Sequence, residues 1–199
     1  MGSLAFTLDL IATFAFAVVG ARIAINRNMD YAGIILIALV ASLTGGTLRN
    51  IFLGIAPSWL NKYQYFLAVI VAVFFAIAAP TRKPIGALIL SIDTFGLAVA
   101  VVSGTQFAIE KDSPLYSAAL LGITTAVAGG LLRDVLCQVE PILLHRETIG
   151  TSSALGALTY IALEALSVSN SISAVISGAV VIAVRALSIR LDLHLPRAK

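Results

Sequence analysis

Shifted by 84 positions, the sequence lies on itself without a gap. Asp9 meets Asp93, Gly20 meets Gly104, and Gly45-Gly46 meets Gly129-Gly130. Leu48-Arg49 meets Leu132-Arg133, Pro57 meets Pro141 and Gly2 meets Gly86, while Asn50 faces Asp134 and Lys62 faces Arg146. Agreement between apolar residues is cheap in an apolar chain. Agreement of Asp, Arg, Pro and paired Gly at one offset is not. The chain must therefore fold as two copies of one unit.

Composition says what solvent those units meet. Of 199 residues 59% are apolar and 12% charged, with a mean hydropathy of +1.01. A soluble domain carries about 25% charged residues. These numbers exclude an ordinary soluble enzyme, a nucleic-acid binder and a disordered chain, and leave an integral membrane protein. The single cysteine, Cys137, forms no intrachain disulfide, and the histidines are His145 and His194 alone. No metal cluster, cofactor motif, phosphate loop or Ser-His-Asp set is present, so neither a metal, a cofactor nor an enzyme is expected.

A membrane helix needs roughly 20 mostly apolar residues. Seven runs qualify: Leu4–Ile25, Tyr31–Leu53, Tyr63–Ala79, Pro84–Ile109, Pro114–Leu136, Thr148–Leu166 and Ile172–Ile189. They are continuous rather than alternating, which fits helices and not barrel strands. Asp9 inside the first run, and Arg22 and Arg27 after it, argue for a retained helix over a signal peptide. The expected fold is an all-α, single membrane domain. Repeat one covers about 1–80, repeat two about 85–166, and an added helix about 172–189. Three crossings reverse direction, so the second repeat is inverted, an arrangement common in transport proteins. The seventh helix has no repeat partner and is assigned to packing.

Arg22, Arg27, Arg82, Lys83, Arg146, Arg190, Arg197 and Lys199 fall on one side, against Lys62 and Lys111 on the other. The positive-inside rule places the C-terminus in the cytoplasm and the N-terminus outside.

Each repeat centres on a glycine pair followed by arginine: Thr44-Gly45-Gly46-Thr47-Leu48-Arg49-Asn50 and Ala128-Gly129-Gly130-Leu131-Leu132-Arg133-Asp134. Adjacent glycines permit a kink or an unwound turn, whose freed carbonyls could line a cation path. The competing reading is close helix packing, as in the stripe Gly122, Ala126, Gly130. Arg49 and Arg133 either snorkel towards a helix end or pair with the acids in the spans, Asp9, Asp93 and Asp134, as a gate. Asp9 also suits a helix N-terminal acid. Trp59, Tyr63 and Tyr65 read as an interfacial anchor. Glu164 reads as a solvated rim residue and Arg185 as a snorkelling one. Gly150, Ser153, Gly156, Ser173, Ser177 and Gly178 suggest tight contacts within or between subunits.

The paired Gly-Gly-x-x-Arg segments, each followed by proline, resemble the TRIC family of trimeric intracellular cation channels. The likeness is to prokaryotic members, whose domain is also labelled a glycine transporter domain. It runs from about Leu4 to Ile189. The resemblance implies a homotrimer in a prokaryotic cell membrane, in contact with lipids and binding no nucleic acid. It implies one pore per protomer for potassium and sodium, bounded by kinked second and fifth helices. The kinks would be Gly45-Gly46 and Gly129-Gly130. The pore-lining or gating residues would be Arg49, Arg133, Asp9, Asp93, Asp134, Thr44 and Thr47. The family's third glycine is replaced here by Thr44 and Ala128, which implies a milder kink. The Lys-Glu-Val motif of animal members is missing. Inverted repeats suit equally a secondary transporter of a small amino acid such as glycine.

Overall fold

The computed structural model describes residues 3–79, 86–139 and 148–191. Arg82, Lys83, Pro141, His145, Arg146, His194, Arg197 and Lys199 lie outside them. Among the described residues there are seven α-helices and a short 3-10 turn. They are α1 (Ser3–Asn26), α2 (Tyr31–Phe52), the turn Ser58–Leu60, α3 (Gln64–Ala78), α4 (Gly86–Ile109), α5 (Leu115–Leu136), α6 (Thr148–Ala165) and α7 (Asn170–Leu191). Each coincides with one of the seven expected runs. Five are long and apolar enough to cross a membrane: α1, α2, α4, α5 and α7. The apolar α3 is shorter, at 15 residues.

Helix ends repeat as faithfully as the sequence does. The chain leaves α1 through Asn28 (φ 55°) and α4 through Asp112 (φ 56°), positions that correspond in the two repeats. It leaves α2 through Gly54 (φ 68°) and α5 through Gln138 (φ 52°), again corresponding positions. After each pair an amide reaches back to the last turn: Met29 N to Ala24 O, Ser113 N to Ala108 O, Ile55 N to Asn50 O and Val139 N to Asp134 O. Such closures satisfy carbonyls that a helix end would leave bare. Gly54 takes the left-handed conformation without a Cβ penalty, and Gln138 takes it with one. Asp30 caps α2, its carboxylate accepting from Gly33 N at 2.7 Å.

Packing follows the repeat. α1 lies on α2 and α3 as α4 lies on α5 and α6, and across the repeats α1 meets α4 and α2 meets α5. α7 packs on α4 and α6. The usual burial rule is inverted. Arg49 is 0% exposed while Phe74 is 74% exposed. That is the pattern of a bundle whose outer solvent is hydrocarbon, and this is a multi-pass membrane protein. Its interior is mainly small: Ala17, Ala21, Ala24, Ala38, Ala72 and Ala76 line one core. Small side chains let backbones approach closely, and that packing drives helix association in lipid.

The glycine pairs sit inside unbroken helices. α2 runs through Gly45-Gly46 and α5 through Gly129-Gly130 without interruption, so the unwound turn anticipated there is not formed. The two members of each pair have different neighbours. A Cβ on Gly45 would strike the Thr125 carbonyl oxygen of α5, and one on Gly129 would strike the Ala41 carbonyl oxygen of α2. These first glycines let α2 and α5 cross backbone to backbone. A Cβ on Gly46 would sit 3.7 Å from Arg49 Nη2 and 3.9 Å from Asp9 Oδ2; one on Gly130 would sit 3.7 Å from Arg133 Nη2. The second glycines form a wall beside the arginines.

Candidate functional site: two buried arginine clusters

Each arginine is carried one turn past its glycine pair and turned inward towards the first helix of its own repeat. Arg49 Nη1 and Nη2 donate to Asp9 Oδ1 and Oδ2 at 3.1 and 3.3 Å, a two-pronged pair. Asp9 also accepts from Tyr65 Oη at 2.8 Å and Ser103 Oγ at 3.3 Å. Arg49 Nε donates to Asn50 Oδ1 at 3.1 Å, and the guanidinium lies 4.3 Å from the centre of the Phe107 ring. Asn50 Nδ2 in turn holds the loop after α2, through Ala56 O at 3.0 Å and Ser58 Oγ at 3.1 Å.

The second cluster repeats this with changes. Arg133 Nη1 donates to Asp93 Oδ1 at 3.1 Å and Arg133 Nε to Asp134 Oδ1 at 2.8 Å. Asp134 stands where the first repeat has Asn50, so this cluster holds one more negative charge. Arg185 of α7 balances it, with Nη2 donating to Asp93 Oδ2 at 2.9 Å. Each cluster is thus neutral. Isolated charges in a bilayer are costly, and pairing offsets much of that cost, although Arg185 Nη1 is buried with no hydrogen-bond partner among the described residues.

Several expectations are corrected by this geometry. Arg185 does not snorkel; it is 1% exposed. The seventh helix therefore does more than pack, because it supplies a charge the repeat lacks. Arg49 and Arg133 are equally sealed from the membrane face, at 0% and 2% exposure. Asp9 is a buried ion-pair partner rather than a helix-end acid. Tyr63 remains exposed, but Tyr65 is turned inward to Asp9, and Trp59 Nε1 donates to Thr47 Oγ1 at 2.9 Å. Thr47 and Thr44 also donate to the carbonyls of Leu43 and Val40 four residues back, and neither borders the cavities described below. Glu164 is half-buried, not a solvated rim.

A small cavity adjoins each cluster. The first, about 20 Å³, is bordered by Asp9, Gly46, Arg49, Ser58, Tyr65 and Phe16, among others. The second, also about 20 Å³, is bordered by Asp93, Gly130, Arg133, Asp134, Leu97 and Phe16, among others. Each has room for about one water molecule. Phe16, 4% exposed, borders both.

As members of the two clusters and their cavities, Tyr65, Ser103, Phe107, Phe16 and Arg185 escaped the sequence reading. Their repeat counterparts are Ile149, Val19, Ile23 and Ala100, and Arg185 has none within the repeat. The signal that singled out the arginines was symmetry, and these residues do not share it.

A family profile described as "Glycine transporter" matches twice, over residues 6–80 and 90–165. A UPF0126 membrane protein of Vibrio cholerae is 31% identical, over 98% of this chain and 82% of its own length. The UPF0126 inner membrane protein YadS of Escherichia coli is 29% identical, over 97% of this chain and 95% of its own. Among solved structures, the TRIC trimeric intracellular cation channel orthologue from Rhodobacter sphaeroides superposes with a TM-score of 0.88. It is 32% identical and covers 96% of this chain and 100% of its own. A second TRIC cation channel chain superposes with a TM-score of 0.85 at 29% identity, covering 97% of this chain and 96% of its own.

Proposed function

We propose that this chain, which belongs to the glycine transporter family and shares the TRIC channel fold, is a homotrimeric channel for potassium and sodium with one pore per protomer. The observation that carries the reading is the pair of cavities, one per inverted repeat, that share Phe16 as a common wall. Inversion sets the cavities towards opposite membrane faces. Joining them requires Phe16 to move aside. The arginines would repel cations if unpaired. Each is instead matched by Asp9, or by Asp93 and Asp134 with Arg185, so neither cluster sets a net positive charge against an ion. Gly46 and Gly130 keep the walls beside them open. The trimer rests on the likeness to a channel described as trimeric and on an apolar groove of about 420 Å³ between α1, α4 and α7, lined by Leu4, Leu8, Phe95 and Val175 among others. We also propose an N-terminus outside and a C-terminus in the cytoplasm of a prokaryotic cell membrane, and no enzymatic activity.

The family description supports a second reading, a secondary transporter of glycine, since two half-cavities about one barrier also suit alternating access. Recording from purified protein in a planar bilayer under a potassium gradient separates the two. Discrete current steps are expected, with a trimer by native mass measurement. Phe16→Ala raises the current and Ala100→Phe, which fills the first cavity, lowers it. Silence with uptake of labelled glycine into vesicles would favour the transporter.

A further inference from the structure

The segment between α2 and α3 folds back over the first cavity. Ser58 and Trp59 of the 3-10 turn border it beside Asp9, Arg49 and Tyr65. Every other residue that borders it among the described ones belongs to an α-helix. Both turn residues are half-buried, while their neighbours Leu60 and Asn61 are exposed. The turn therefore stands between the cavity and the end of the bundle. Pro57 opens it with a ring-locked φ of −53°, and Leu60 N donates to Pro57 O at 3.1 Å. Upstream, Gly54 takes φ 68°, and a Cβ there would meet nothing within 4 Å. A short rigid turn next to an unpacked glycine is the build of a lid on a hinge.

Two side chains of α2 fasten that turn. Asn50 Nδ2 donates to Ala56 O and Ser58 Oγ at 3.0 and 3.1 Å, while Asn50 Oδ1 accepts from Arg49 Nε at 3.1 Å. One buried amide thus ties the turn to the arginine that faces Asp9. Trp59 Nε1 donates to Thr47 Oγ1 at 2.9 Å, and the indole stands edge-on to Phe66 of α3 at 5.8 Å. A tryptophan serving the membrane interface turns its N–H towards water and headgroups. Trp59 turns it into the bundle. Thr47 borders neither cavity, and its hydroxyl proton goes to Leu43 O, which leaves its oxygen to hold Trp59.

The fastening belongs to one repeat. At the 84-residue offset Thr47, Asn50, Ser58 and Trp59 become Leu131, Asp134, Ile142 and Leu143. Leucine and isoleucine side chains neither donate nor accept, and an ionised Asp134 accepts but has no proton for a carbonyl. Asp134 instead accepts from Arg133 Nε at 2.8 Å. The second repeat therefore lacks the side chains for the same latch. The bonds of the latch are neutral, and each biases an equilibrium only about fivefold. That is weak enough to be undone thermally, in contrast to the buried ion pair beneath it.

We propose that Ser58–Leu60 is a lid on the first cavity, latched by the Trp59–Thr47 and Asn50–Ser58 hydrogen bonds, and that solute reaches Asp9 from that end of the bundle only when the latch opens. That the solute is a monovalent cation rests on the channel reading; the lid itself is tested without current. Ser42→Cys reports on the first cavity and Val127→Cys on the second, each in purified full-length protein carrying Cys137→Ala. The rate of modification by a water-soluble methanethiosulfonate is measured. Trp59→Phe keeps a ring and loses the N–H, and Thr47→Val keeps the shape and loses the acceptor. Each should speed modification of Ser42→Cys about fivefold, the bias of one such bond, and leave that of Val127→Cys unchanged. The double variant should be no faster than either single one, since both cut the same bond. Ser58→Ala, which cuts the Asn50 bond, takes the place of a Trp59 variant that fails to fold. Rates at Ser42→Cys that the variants leave unchanged overturn the lid. So does equal acceleration in both cavities, which means a loosened bundle, and so do multiplied rates in the double variant. A protein that labels as expected but carries no current keeps the lid and loses the channel. One that conducts with no change in labelling keeps the channel and loses the lid.

Discussion

Arg185 and Asp134 show how one residue change in a duplicated unit forces another outside it. With Asn50 in the first repeat, an Asp–Arg pair is neutral; with Asp134 in the second, a further cation is needed, and Arg185 provides it through Asp93. Removing Arg185 alone strands that extra charge. Arg185→Met should cost about 3–5 kcal/mol, the range for breaking a buried pair. Adding Asp134→Asn rebuilds the composition of the first cluster, and should recover about 1 kcal/mol or more by coupling. Thermal unfolding of the two single variants and the double variant checks this. Additive losses would mean that the two side chains are not charge-coupled.

At the scale of the helix, the glycine pairs resolve into two jobs that the choice between packing and pathway ran together. Gly45 and Gly129 mark where α2 and α5 cross, each against a carbonyl of the other helix. A methyl there has no room, so Gly45→Ala and Gly129→Ala should each destabilise by about 1–3 kcal/mol, the usual cost of overpacking. Gly46 and Gly130 face the arginines with ordinary spacing. There alanine fits, and helix propensity favours it by close to 1 kcal/mol. Gly46→Ala and Gly130→Ala should therefore melt no lower than the parent while ion flux falls, because the methyl narrows the cavity. Paired measurements of midpoint and flux on the four variants distinguish the jobs. Equal destabilisation at all four positions would assign every glycine to packing.

For the molecule as a whole, the proposed orientation follows from the uneven basic residues. Arg27 sits after α1 and donates to Gln138 O after α5 at 2.7 Å, so the loops after α1 and α5 lie at one end of the bundle. A cysteine at Arg27 should react with an impermeant reagent only from the cytoplasmic side. A cysteine at Lys111, at the opposite end, should react from outside in intact cells. The reverse labelling pattern would invert the topology proposed here.

The seven helices, their limits and the inverted relation of the halves were legible in the sequence, for two reasons. Long apolar runs leave the backbone no partner in lipid except itself, and the polar coincidences between the halves survived duplication. The same symmetry singled out Arg49, Arg133, Asp9 and Asp93, and Asp134 stood out as an acid in a span. It did not show which acid meets which arginine, because an ion pair 40 residues apart depends on how α1 packs on α2. Nor could it reach Tyr65, Phe16, Phe107 or Arg185, where the repeats differ or the repeat has ended. Their roles come from three-dimensional proximity alone. A tyrosine on a short span reads as an interface anchor until helix packing turns it towards a carboxylate. An arginine near a helix end reads as snorkelling until a neighbouring helix offers it an acid. The two members of Gly45-Gly46 are likewise identical as letters. They point about 100° apart around the helix, and only the crossing of α2 with α5 decides which one is pressed against a backbone and which one faces a cavity.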